Sequence, residues 1–188
     1  MTPTGVEAAL AEPARAARVF LVGPMGAGKS TVGRALAARL GFDFLDSDKE
    51  IEERTGVDIP FIFEKEGEPG FRRREAEVIE AISLLPRLVL ATGGGAVLDP
   101  GTRQRLTERG TVVYLEATVE QQLHRTRGST HRPLLLTEDP RGRLEQLMAV
   151  RAPLYESIAD LTIRTSRRKV ARMVEDIVAW LSANGKLS

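Results

Sequence analysis

The 188-residue chain is expected to fold as an α/β domain, a parallel sheet with helices covering both faces. Three observations point there. Short apolar runs of strand length alternate with segments whose apolar residues recur at helical spacing. The first run passes into Gly23-Pro24-Met25-Gly26-Ala27-Gly28-Lys29-Ser30, a phosphate-cradle pattern that belongs between a strand and a helix. No repeat, linker or change of composition marks a second domain, and the length suits one.

Taken in order, Arg18–Val22 is the first apolar run, ended by Gly23. Lys29–Leu40 reads as a helix, with Val32, Leu36 and Leu40 four apart on one face and Gly41 to stop it. Phe42–Asp46 is the second strand, and Asp48 is placed to cap a helix running to Thr55. Ile59–Lys65 and Pro69–Leu84 read as two helical stretches. Leu88–Ala91 has the pattern of a buried strand and runs into Gly93-Gly94-Gly95. A helix at Pro100–Glu108, a strand at Thr111–Leu115 and a helix at Val119–Arg127 follow. Residues 128–143 mix Gly, Ser, Thr, Pro and charge without an apolar period, so a mobile loop is expected. A helix at Leu144–Tyr155, a strand at Leu161–Arg164 and a helix at Lys169–Ala183 close the chain. Residues 1–17, rich in Ala and broken by Pro3 and Pro13, are expected to form a disordered extension, leaving 18–188 as the domain.

Composition removes several classes. A formal net charge of +1 gives no basic excess to neutralise many phosphates, so a generic nucleic-acid binder is not expected. With no cysteine, disulfides, thiolate metal sites and cysteine nucleophiles are excluded. No apolar run reaches the length of a membrane span. Glu7 and Glu12 interrupt what a secretory leader or transit peptide would need, and a cytoplasmic address is the expectation.

In the cradle, the glycines let the backbone curl so that successive N–H groups of Gly26, Ala27 and Gly28 point at phosphate oxygens. The helix beginning at Lys29 adds the positive end of its dipole. The Lys29 ammonium suits the β- and γ-phosphates, the Ser30 hydroxyl suits Mg²⁺, and Thr31 stands next in line for the α-phosphate. This motif establishes nucleotide binding and leaves kinase, switch and motor undecided.

A metal-holding acid is needed as well, and Leu88–Ala91 ends in Thr92 and glycines without a carboxylate. Glu116 follows a strand but nothing else marks it. Asp46 and Asp48 are two apart at a strand end, so in an extended chain both carboxylates face one side. One could serve the metal and the other an acceptor hydroxyl; the alternative is that Asp48 merely caps the next helix. Arg72 and Glu75, three apart on a helix, can pair and so orient the guanidinium for a carboxylate. The alternative for Arg72, and equally for Arg151, is a solvated basic face. Gly93-Gly94-Gly95 directly after a core strand costs stability unless a backbone must approach something closely.

Together these segments resemble the shikimate kinase family, from Arg18 to the last helix. The ordered combination carries the likeness: the cradle through Thr31, Leu45-Asp46-Ser47-Asp48, Ile62-Phe63, Gly67-Glu68, Phe71-Arg72 with Glu75, Gly93-Gly94-Gly95, Arg132-Pro133-Leu134 and Arg151-Ala152-Pro153-Leu154-Tyr155. The resemblance implies a three-layer P-loop kinase fold with a five-stranded parallel sheet of order 2-3-1-4-5. It also implies an acceptor region near residues 47–80 and a mobile lid near 128–143. It implies transfer of the ATP γ-phosphoryl to the 3-hydroxyl of shikimate, with Mg²⁺ served by Ser30 and Asp46. Asp48 would orient the hydroxyls, Arg72 and Arg151 would hold the carboxylate, and Gly94 would donate its N–H, flanked by Gly93 and Gly95. Phe63 and Phe71 would line the pocket. Arg132 would close on the phosphates, while Arg125 and Arg168 match positions near the adenine. Shikimate and ATP are thus the expected partners, with no nucleic acid, no membrane and a monomeric chain. A gluconate or nucleoside monophosphate kinase, or a non-catalytic nucleotide-binding module, are the rival readings.

Overall fold

A computed structural model describes residues 17–127, 133–135, 137–166 and 168–187. The strands are β1 (Arg18–Val22), β2 (Asp43–Asp46), β3 (Leu88–Ala91), β4 (Thr111–Glu116) and β5 (Leu161–Arg164). They form one parallel sheet in the order β2-β3-β1-β4-β5. This is the order the resemblance implied. The intervening helices are α1 (Lys29–Leu40), α2 (Ser47–Thr55), α3 (Ile59–Ile82), α4 (Pro100–Arg109), α5 (Val119–Thr126), α6 (Pro140–Ile158) and α7 (Val170–Ala183).

Strand alternation divides the core into two layers, because successive side chains leave a strand on opposite faces. Phe20, Leu88, Leu90, Val112 and Tyr114 pack with Val78 and Ile79 of α3, Leu106 of α4 and Tyr155 of α6. Val19, Leu21, Val89, Val113 and Leu115 pack with Val32 and Leu36 of α1 and with Met173, Ile177 and Leu181 of α7. A strand buried on both faces needs a continuous apolar run, as in the central β1, β3 and β4, whereas the edge strands β2 and β5 carry polar residues and are partly exposed. Trp180 is partly buried against the second layer, a packing role. Among the described residues, no helix is long and apolar enough to cross a membrane.

Several boundaries differ from expectation. Residues 1–16 lie outside the described residues, and Ala17, assigned above to the extension, is buried against the domain. Helix α6 begins at Pro140, capped by Asp139 accepting from the Gly142 N–H, which shortens the expected loop. Pro at the first helical turn is tolerated because its missing N–H would be unsatisfied there anyway. Pro153 sits inside the same helix without ending it.

The two stretches read at 59–65 and 69–84 are halves of one helix, α3, broken at Gly67 with φ 69° and ψ −179°. That conformation is essentially closed to residues with a Cβ. Across the break, Arg74 Nη2 and Nε reach the Glu66 carboxylate at 2.6 and 2.9 Å, stitching one half to the other. Gly67→Ala is expected to lower unfolding free energy by about 1–3 kcal/mol, read as a lower denaturant midpoint. An unchanged midpoint would mean the break is not held by this backbone position.

Candidate active site

Because all five strands run the same way, the segments leaving β1, β2 and β3 gather at the carboxyl ends of the strands. They border a cleft of about 700 Å³, which brings Lys29, Ser30, Asp46, Asp48, Arg72 and Arg151 together. Gly93, Gly94 and Gly95 floor it, and Gly26, Gly28, Thr31, Phe63, Phe71 and Arg125 also line it. Ala27 is buried beneath the cradle, 1% exposed.

On the nucleotide side, Gly28 is the residue before α1 and holds φ 93°, the left-handed region that glycine reaches without strain. No side chain caps α1, so its first N–H groups are left facing the cleft, the arrangement that suits an anion. Lys29 Nζ donates to the carbonyls of Gly23 and Pro24 at 2.7 and 2.8 Å, which bends its ammonium back over the cradle. Arg125 Nη1 donates to the Gly26 carbonyl at 2.8 Å. Arg168 does not line the cleft and instead pairs with Asp176 at 2.7 Å. Arg132 lies outside the described residues; Leu134, in the short turn Pro133–Leu135, lines the cleft.

Ser30 Oγ donates to Asp46 Oδ2 at 2.5 Å. Two hard oxygen donors held together this way fit Mg²⁺, which takes one or two protein oxygens and completes its shell from phosphate and water. No cluster of three or more His, Asp or Glu occurs among the described residues, so a closed protein cage is not what the site offers. Glu116, the less marked candidate, is engaged by Arg164 at 3.1 Å.

The capping assignment is corrected here. Asp46, not Asp48, caps α2, its Oδ1 accepting from the Asp48 N–H at 3.1 Å. The chain is therefore already helical at Asp48, and the two carboxylates share the cleft through the helix turn rather than through strand alternation. Asp48 is thereby freed from any local duty. Its Oδ1 is buried with no hydrogen-bond partner among the described residues. Burial, with the carboxylates of Glu75 and Asp46 nearby, pushes its carboxyl up to about 7, while Lys29 and Arg72 pull the other way.

Arg72 is no solvated face. Its side chain is 18% exposed, with Nη1 on Glu75 Oε2 at 2.6 Å and Nη2 on Glu68 Oε1 at 3.1 Å. Burial alone would lower its guanidinium, but Glu75 and Glu68 outweigh that and hold it above the usual range. Glu75 is 2% exposed. Burial pushes its carboxyl up, and Arg72 pulls it back. Arg151 is 4% exposed, and no carboxylate among the described residues reaches salt-bridge distance of it. Burial lowers its guanidinium, and the neighbouring Arg72 adds to that.

The glycines are explained by space. A Cβ on Gly95 would collide with the Arg72 guanidinium, and one on Gly93 with the Glu75 carboxylate and, at 2.8 Å, with Asp48 Oδ1. Phe63 and Phe71 stand 4.9 Å apart between ring centroids, an apolar wall carried by the two halves of α3. Sequence reasoning passed over Ser47, whose fully buried hydroxyl accepts from the Gly93 N–H at 2.9 Å. It also gave Tyr155 no role of its own, although the spacing of four from Arg151 puts both on one helix face.

Comparison with known proteins follows the same lines. The family described as shikimate kinase matches residues 25–182. A shikimate kinase from Thioalkalivibrio sulfidiphilus is 55% identical over 168 residues, 89% of this chain and 88% of that one. One from Francisella tularensis subsp. novicida is 56% identical over 168 residues, covering 89% of this chain and 96% of that protein. Among solved structures, the shikimate kinase from Acinetobacter baumannii in complex with shikimate superposes with a TM-score of 0.87 at 50% identity. That match covers 89% of this chain and 93% of the other.

Proposed function

The chain belongs to the shikimate kinase family, a phosphotransferase acting on an alcohol group, and we propose that it transfers the ATP γ-phosphoryl to the 3-hydroxyl of shikimate. The observation that carries the acceptor assignment is a pair of unmet needs in one cleft. Arg151 is a buried cation lacking a carboxylate among the described residues, and Asp48 Oδ1 is a buried acceptor lacking a donor. Both conditions are costly as they stand. An acceptor with a carboxylate at one end and hydroxyls at the other answers both at once.

In this reading Arg72 and Arg151 grip the carboxylate, with Glu75 and Glu68 fixing the Arg72 fork for bidentate contact. Phe63 and Phe71 press on the ring, and Gly94 offers an N–H that has no acceptor among the described residues. Asp48 accepts a hydrogen bond from the attacking hydroxyl and takes its proton as the new O–P bond forms and the bond from the γ-phosphorus to the bridging oxygen breaks, that oxygen leaving with ADP. Lys29 swings from its loop carbonyls to the transferred phosphoryl, where charge builds in an in-line displacement. Ser30 and Asp46 would hold Mg²⁺, which when bound neutralises phosphate charge. Arg125 is assigned to the adenine side, where it borders the cradle; Arg168 would reach the base only by leaving Asp176. A cytoplasmic address and a monomeric state complete the proposal.

A coupled assay of ADP formation with Mg-ATP tests it. Shikimate should stimulate turnover, whereas gluconate or nucleoside monophosphates should not. Stimulation by one of those instead would overturn the acceptor assignment, and ATP binding without stimulation by any acceptor would favour a binding module. Arg72→Ala is expected to weaken acceptor binding by about 2–5 kcal/mol, because it removes a desolvated charge and strands Glu75. The acceptor KM should rise while the ATP KM stays near its parent value, and an unchanged acceptor KM would remove Arg72 from the carboxylate site.

A further inference from the structure

We propose that Tyr155 is a positioning residue for the acceptor, locking the Gly94–Gly95 peptide against the helix that carries Arg151. The inference rests on the acceptor assignment above and adds a group that does not itself touch the acceptor.

Tyr155 is fully buried on α6, and its hydroxyl donates to the Gly94 carbonyl at 2.5 Å. Its ring stacks on Tyr114 of β4, with centroids 5.1 Å apart and planes 28° from parallel, so the phenol has little freedom to turn. Arg151, one helical turn earlier, stands on the same face of α6, its Nη1 3.7 Å from where a Cβ on Gly94 would lie. Tyr155 thus ties together two parts of the acceptor site that come from remote stretches of chain, the glycine floor and the helix that carries the Arg151 cation.

The floor needs such a lock. Three consecutive glycines have wide conformational freedom, and only specific bonds hold this run in one shape. The Gly93 N–H is fixed by Ser47 Oγ, and the Gly93 carbonyl accepts from the Ala96 N–H at 3.1 Å. The next peptide is fixed by Tyr155. A trans peptide points its N–H opposite its carbonyl, so holding the Gly94 oxygen sets the direction of the Gly95 N–H as well. Gly94 also sits against the cradle: a Cβ there would lie 3.3 Å from Met25 N and 3.7 Å from Arg151 Nη1. A turn of this peptide would therefore shift Gly94 against Arg151 on the acceptor side as well as against Met25.

Tyr155→Phe keeps the ring and its stack and removes only the hydroxyl. We expect the KM for shikimate to rise about tenfold, the ATP KM to stay within about twofold, and the melting temperature to change little. Tyr114→Phe, which removes the hydroxyl of the other ring in the stack, should leave both constants at parent values. A shikimate KM within about twofold of the parent would overturn the proposal. So would a parallel loss of ATP and shikimate affinity, which would mark Tyr155 as general packing. If the parent enzyme itself gave no shikimate-dependent ADP, the acceptor assignment would fall and this proposal with it, an outcome distinct from a functional parent and an indifferent variant.

Discussion

Lys29→Ala is expected to reduce turnover by about 10³-fold or more while leaving the fold intact. The side chain lies on the cradle, not in either core layer, and its ammonium donates to the loop's own carbonyls. Its removal therefore costs little packing. What disappears is a positive charge that can reach the group being transferred, at the step where charge is most concentrated. The effect should fall mainly on kcat, because backbone N–H groups and the α1 terminus remain to bind phosphates. Single-turnover measurements at saturating ATP and acceptor would show this directly. A variant with parent kcat would remove the central role given to this ammonium.

Asp48→Asn is expected to lower kcat by about 10²–10⁴-fold and, at the same time, to stabilise the protein above neutral pH. The two effects share one cause. The folded protein holds the Asp48 carboxyl at about 7, far above the usual carboxylate range, chiefly because it is buried. The folded state thus binds this proton more tightly than the unfolded chain does. Stability conferred by the protonated form is full below the unfolded value and declines as pH rises toward about 7. Asparagine cannot ionise, so the variant escapes that decline. Its advantage should be on the order of 4 kcal/mol at pH 8 and should shrink toward pH 4, measurable as paired melting curves. Equal stability of parent and variant at pH 8 would show that the buried carboxylate is not under this strain.

Much of this was legible in the chain itself. The central strands could be read because a sheet covered on both faces tolerates only apolar runs there, and Leu88–Ala91 and Thr111–Leu115 contain little else. The cradle was legible because its glycines and Lys29-Ser30 are fixed in spacing by the geometry of a phosphate. The pairing of Arg72 with Glu75 followed from helical periodicity, but the burial of both did not. Burial depends on what packs above them, and the glycine floor comes from twenty residues further on. Asp46 as the cap in place of Asp48 was out of reach for a similar reason: two acids at a strand end look alike until the first helical turn is placed. Tyr155 reads as one more core aromatic in sequence, since nothing local says which carbonyl its hydroxyl meets.

The break at Gly67 has a consequence for how acceptor preference can drift. Phe63 and Phe71 stand side by side on two short rods, and the angle between the rods is stitched on the outside of the molecule by Glu66 and Arg74, both partly exposed. An exposed ion pair contributes under about 1 kcal/mol, so it tilts the angle without clamping it. Substitutions on the outer surface, touching no ligand, can therefore widen or narrow the gap between the two rings, giving evolution a dial on selectivity that spares every catalytic group.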